Sequence, residues 1–249
     1  MDNKPPFEII DFHIHPFISG NNNLCFYDNT VDDLEGLRED LLRAGISKAC
    51  GCVLNKDPGD DFDKIRRLND EAISVKELLG EFYIPGMHIN PKYVNESCEE
   101  IKRMHDLGVR LVGELVPHLM NWNGYYDSNL HEIYEYIQQL GMVVNVHTQN
   151  DDTLEKAVKT FPDIMFVAAH PGDKKTFLRH LELMKKYDNY FLDLSGTGIF
   201  RYGLIRYGVE QVGSERFLFG TDYPICNPGM YVQAVLYERL SSTNQRYFL

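Results

Sequence analysis

No stretch of this chain approaches the roughly 18 uninterrupted apolar residues that a membrane helix requires. Apolar residues already read as a strand from about Phe7, so a secretory signal has no room, and a soluble cytoplasmic protein with no membrane partner is expected. Basic residues are scarce: 25 Lys and Arg stand against 37 Asp and Glu, a net charge of −12 that repels phosphate backbones and disfavours nucleic acid as a partner. The five cysteines are odd in number and lack a disulfide-framework spacing, consistent with a reducing compartment. Cys50 and Cys52 form a Cys-x-Cys pair inside the apolar run from Ile46 to Leu54, where packing as small buried hydrophobes is the expected role. No Pro/Gly/Ser-rich linker or charge block divides the chain, so residues 1–249 read as one domain.

What is present is a regular alternation. Short extended runs fall at Ile9–His15, Ser47–Leu54, Phe82–Ile89, Val109–Leu115, Met142–His147, Ile164–His170, Tyr190–Leu194 and Phe217–Thr221. Amphipathic stretches separate them. In the first, Thr30 can serve as the cap, and Val31, Leu34, Leu37, Leu41 and Leu42 form an apolar stripe ending at Gly45. The next three end in the same way at Gly80, Gly108 and Gly141, positions suited to a left-handed C′ residue. The last helical stretch runs from Tyr231 to about Leu240. Ser241–Leu249 begins another helix-like segment without a cap, for which a truncated native C-terminus is one reading.

Eight strand–helix units with nearly continuous apolar strands predict an α/β fold, a (β/α)₈ barrel of the TIM type. An open doubly wound sheet is the alternative, but its first strand would lead into a glycine-rich phosphate loop. Here it leads into His13-Ile14-His15-Pro16.

The candidate site follows from that fold, because a barrel delivers the C-terminal ends of its strands to one mouth. His13 and His15 are two apart, so on a strand both imidazoles share one face and can bind one ion. His147, His170 and Asp222 end or follow three later strands, and Glu114 interrupts the fourth. Each histidine taken singly is equally well a satisfied partner of a backbone carbonyl, and Glu114 can be read as an ion pair with Arg110 or a lysine. Four of nine histidines at equivalent strand ends argue for a metal centre instead. Gly113 would permit close backbone approach beside Glu114. Of the other histidines, His88 and His118 carry no such argument, and His105, His131 and His180 are expected on helix surfaces. The loop Asn121-Trp-Asn-Gly-Tyr-Tyr126 concentrates aromatic and amide groups, but packing is its expected role.

Together the segments Asp11-Phe-His-Ile-His-Pro16, Asn145-Val-His-Thr148, Ala169-His-Pro-Gly172, Leu192-Asp-Leu-Ser195 and Gly220-Thr-Asp-Tyr-Pro224 resemble the amidohydrolase superfamily, in particular its amidohydrolase-related branch. The resemblance implies a hydrolase acting on a small-molecule amide, ester or lactone through metal-activated water. It maps the family's ligands onto His13, His15, His147, His170 and Asp222, with one or two divalent ions, zinc first and manganese or iron(II) as alternatives. Glu114 stands near the place of the carboxylated lysine of many binuclear members, as a glutamate does in TatD-like deoxyribonucleases, and could bridge two ions. With two ions, His13, His15 and Asp222 serve the first and His147 and His170 the second. With one, His13, His15, His147 and Asp222 hold it and His170 stabilises the developing oxyanion. Asp222 is the expected proton acceptor. The branch also contains non-oxidative decarboxylases of aromatic or unsaturated acids, the first alternative. A TatD-like phosphoesterase or nuclease is the second. A homo-oligomer is left open.

Overall fold

Parallel pairing runs unbroken through eight strands in the order β1 to β8: β1 (Ile9–Ile14), β2 (Ile46–Gly51), β3 (Tyr83–Met87), β4 (Leu111–Leu115), β5 (Val143–His147), β6 (Phe166–Ala169), β7 (Tyr190–Asp193) and β8 (Phe217–Leu218). This computed structural model describes residues 7–18, 24–25, 27, 33–55, 61–148, 152–241 and 243–245. The sheet closes on itself through the chain that follows β8. Phe12 N donates to Phe219 O at 2.8 Å, Asp222 N to His13 O at 2.8 Å and His15 N to Tyr223 O at 2.7 Å. The expected barrel is therefore the observed one.

Each strand is followed by a helix: α1 (Leu34–Arg43), α2 (Phe62–Leu79), α3 (Val94–Asp106), α4 (Ser128–Gln139), α5 (Asp152–Thr160), α6 (Lys174–Lys186), α7 (Leu204–Val212) and α8 (Pro228–Tyr237). The first helix is capped by Asp33, whose side chain accepts from Gly36 N, and not by Thr30, which with Val31 lies outside the described residues. Asp61, Asp127, Asp173 and Asn227 cap α2, α4, α6 and α8 in the same way. A side-chain oxygen here satisfies an N–H that the helix itself leaves unpaired. Gly45, Gly80, Gly108 and Gly141 all have positive φ, as their places after the apolar stripes predicted. The last helix begins three residues earlier than its apolar pattern implied, because Asn227 and Pro228 together form a start signal. Of the segment from Ser241 onward, 243–245 are helical and 246–249 lie outside the described residues.

Leu37, Leu41, Ile65, Ala72, Val75, Ile101, Met104, Ile133 and Ile137 are fully buried, so these residues of the helical stripes face the strands, whereas Leu42, expected in the first stripe, is 43% exposed because it lies about 100° around the helix from Leu41. Cys50 and Cys52 are buried with them. His180 is a correction: it is 3% exposed, because its position on α6 turns it toward β7, where its Nδ1 lies 2.7 Å from Tyr190 Oη. His105 and His131 are partly exposed, His131 packing edge-on against Tyr126 and Phe161. None of the described helices is long and apolar enough to cross a membrane.

Candidate metal centre

The barrel brings all six predicted side chains into one constellation at its mouth, arranged as two groups that share Glu114. In the inner group His13 Nε2 and His15 Nε2 face each other at 3.2 Å, and Glu114 Oε2 lies 3.6 Å from the first and 3.5 Å from the second. Asp222 Oδ1 completes it, 3.7 Å from His13 Nε2 and 3.4 Å from His15 Nε2. In the outer group Glu114 Oε1 lies 2.9 Å from His147 Nδ1 and 3.4 Å from His170 Nε2, and those two nitrogens are 3.2 Å apart. One carboxylate thus turns an oxygen to each pair of histidines. The ligand atoms of His13, His15 and Glu114 all lie within 4.8 Å of one another, as do those of Glu114, His147 and His170.

The far side of each ring shows whether this donor set suits a metal. His13 Nδ1 is held 3.0 Å from Asp193 Oδ2, His15 Nδ1 donates to Cys52 O at 3.1 Å, and His170 Nδ1 is 3.1 Å from Ser195 Oγ. With those nitrogens occupied, the Nε2 lone pairs of two buried imidazoles, His13 and His15, and of the partly buried His170 point at shared positions. Nitrogen atoms at 3.2 Å with carboxylate oxygens around them fit divalent-ion coordination, and the residues present fit the group.

Several local devices hold the geometry. Asp11, on the same face of β1 as His13 and His15, accepts from His13 N and Thr221 N at 3.0 Å each and from Thr221 Oγ1 at 2.6 Å, tying β1 to the loop that carries Asp222. Gly113 is required where it is, because a Cβ there would stand 2.1 Å from Asn145 O. A Cβ at Gly196 would stand 2.2 Å from His170 Nδ1, so the floor under that ring must be glycine. His170 and Asp222 adopt φ of 71° and 64°, left-handed conformations that cost a non-glycine residue about 1–3 kcal/mol and tend to gather at functional sites.

Electrostatics match the contacts. Burial works against charge on His13, but Asp193 and Glu114 outweigh it and hold the imidazole well above its ordinary value. His15 is raised likewise, with burial overcome by Asp222, Cys52 and Glu114. Glu114 itself stays well below the ordinary carboxylate value: desolvation opposes ionisation, and His13 and His147 more than offset it. Burial pushes Asp11 up to about 7 despite its three donors.

The reading of Glu114 as a partner of Arg110 is not supported, since Arg110 Nη1 donates to the carbonyls of His105 and Val109 at 2.8 Å each. Other contributors lie outside the six predicted residues. For Asp193 the available signal is a carboxylate closing an apolar strand at the level of the histidines. Cys52 contributes a backbone carbonyl, which no side-chain pattern can announce. His118, in the loop after β4, places its ring 5.5 Å from that of His147. Trp122 and Tyr125 of the same loop are packed, as expected, at 6% and 2% exposure.

A family model described as Amidohydrolase matches residues 10–247. Among solved structures, an uncharacterized TIM-barrel protein from Bordetella bronchiseptica superposes with a TM-score of 0.79 at 19% identity, covering 98% of this chain and 95% of its own. The manganese-bound 5-carboxyvanillate decarboxylase of Novosphingobium aromaticivorans gives 0.76 at 13% identity, covering 100% and 96%. A probable 2-pyrone-4,6-dicarboxylic acid hydrolase from Acinetobacter baumannii, with citric acid bound, gives 0.70 at 13%, covering 98% and 96%. At these identities the superpositions speak for the fold. No curated protein matches the chain significantly in sequence.

Proposed function

The chain belongs to the amidohydrolase family, and from that premise we propose that it is a hydrolase with two divalent ions, cleaving an amide, ester or lactone bond of a small molecule. The carrying observation is the division of Glu114 between the two histidine pairs, Oε2 toward His13 and His15 and Oε1 toward His147 and His170. A carboxylate 3% exposed among four imidazoles is costly to bury without cations, and two ions supply them. His13, His15 and Asp222 would hold the first and His147 and His170 the second, with Glu114 shared. Zinc is the first expectation for this nitrogen-rich set, with manganese and iron(II) also suited.

Bound ions of this kind lower the pKa of a coordinated water toward about 7 and polarise a substrate carbonyl. The chain supplies the proton handling. Asp222 sits at the mouth, 7% exposed, and its carboxylate takes the proton from the attacking water and passes it to the leaving group. Its backbone N–H bond to His13 O at 2.8 Å fixes the loop that presents it. Asp193, Ser195 and the Cys52 carbonyl keep the imidazoles oriented throughout.

The second reading is a non-oxidative decarboxylase with one ion, which draws support from the similarity to the manganese-bound carboxyvanillate decarboxylase. Metal analysis of protein purified without chelators, joined to assays on amide, ester, lactone and aromatic-acid panels, separates the two. The hydrolase predicts two ions per chain and no carbon dioxide; one ion with carbon dioxide release selects the decarboxylase. Undiminished turnover by metal-free protein would overturn both.

A further inference from the structure

The loop between β4 and α4 is packed closely against the barrel through part of its length. Leu119 N and Met120 N donate to Val116 O at 3.1 and 3.2 Å, and Trp122 N to Pro117 O at 3.1 Å, which folds the first part into a compact turn. Met120, Trp122 and Tyr125 are buried, Trp122 meets Tyr125 edge-on at 5.9 Å, and Asn90 Nδ2 donates to Met120 O at 3.2 Å. Tyr125 Oη then reaches the carbonyls of Leu115 and His147, pinning the loop to the ends of β4 and β5. This packing leaves His118, Asn121 and Asn123 exposed, and of these His118 has its ring against His147, with the centroids 5.5 Å apart and the planes at 61°.

The place matters because the site opens on this side. The side chains of His13 and His15 are 1% exposed, those of His170 and His147 14% and 26%. A substrate arriving at the outer group passes the imidazole of His118. That imidazole is near the ligands without being one of them, since the converging group is Glu114, His147 and His170. A polar ring carried by a tightly packed loop beside an open cluster is preorganised to hydrogen-bond a substrate oxygen.

We infer that His118 is a substrate-contacting residue that holds an oxyanion of the substrate, a carboxylate or a phosphate group, over the outer half of the site. This rests on the metal reading above. The hydrogen bond ends on a charged acceptor, so its loss weakens binding by about tenfold or more.

Trp122 is the chain's single tryptophan and lies in the same loop, so its fluorescence reports occupancy without any assay of turnover. Manganese-loaded wild type, His118→Ala and His118→Gln are titrated with inorganic phosphate and, separately, with benzoate, while manganese content and melting temperature are recorded. The expected result is about tenfold weaker binding of one or both probes by His118→Ala, partial recovery in His118→Gln through its amide donor, and unchanged manganese content and melting temperature. Which probe responds tells carboxylate from phosphate. Equal affinity in wild type and His118→Ala, including undetectable binding in both, overturns the inference while the metal reading stands. A loss of affinity accompanied by loss of manganese overturns it as well, because His118 would then act on the metal centre. Wild-type protein that takes up no manganese overturns this inference together with the reading on which it rests.

Discussion

The inner and outer halves of the candidate centre use the same chemistry with different support. His13 and His15 lie at the end of one strand, 1% exposed, each with its far nitrogen held by a buried acceptor, Asp193 or the Cys52 carbonyl. His147 and His170 come from two strands and are several times more open. The far nitrogen of the His170 ring meets the Ser195 hydroxyl, while the His147 ring lies against the ring of a loop histidine. The difference teaches a division of labour: the dry, braced half is suited to retaining an ion, and the open half to admitting and releasing ligands. Outer partners that orient the ligands add to metal affinity, by about 10–100-fold each.

The sharpest break would come from deleting one histidine of each half. His13→Ala should abolish binding of both ions, since it removes an inner ligand and takes an imidazole away from both Asp193 and the shared Glu114, whereas His147→Ala should empty the outer position alone; mass-spectrometric metal counts distinguish them. If His147→Ala empties both, the halves are not separable. Next in size is turnover. Asp222→Asn should lower kcat by about 10²–10⁴-fold, the range for a lost acid–base group, with the outer ion retained. Retention of full rate would remove Asp222 from proton transfer.

A smaller effect is expected from Asp193→Asn, about 10–100-fold in affinity for the inner ion and little for the outer one. Competition against a chelator measures it. An equal loss at both positions would mean that Asp193 braces the whole mouth through Ser195. The mildest test is pH on metal-free protein. His13 and His15 are raised above their ordinary 6.5, and Glu114 is lowered below its ordinary 4.5. Their mutual attraction therefore stabilises the fold fully between those two ordinary values. It is lost as pH rises through the raised histidine values or falls through the depressed Glu114 value. Denaturant midpoints across pH should decline on both sides, and metal binding at neutral pH should release protons, because the imidazoles must give them up to coordinate. A flat profile, or a calorimetric signal independent of buffer ionisation, would count against charged histidines in the inner half.

Much of this architecture was legible because its signals are local. Each strand is an apolar run, each helix an apolar stripe, and a ligand at the end of a run inherits its place from the barrel. His13 and His15 needed only their spacing to share a face. The error at the first helix has an equally local cause: Thr30 and Asp33 are both cap-forming types, and the tertiary start of α1 selected Asp33. His180 was placed outside because helix position alone does not say which neighbour covers it, and β7 supplied a Tyr190 hydroxyl. Asp193 could have been found by the strand-end rule that found Asp222. The carbonyl of Cys52 could not, since every residue has one.

By itself, the sequence determined the eightfold strand–helix order, the barrel, and the six side chains that meet at its mouth, because periodicity and strand-end position are properties of neighbouring residues. Tertiary structure alone decided how Glu114 divides its two oxygens, which atoms brace His13, His15 and His170, and that His118 overlooks His147. Those relations join residues dozens to more than a hundred positions apart, and their distances exist only once the barrel has closed.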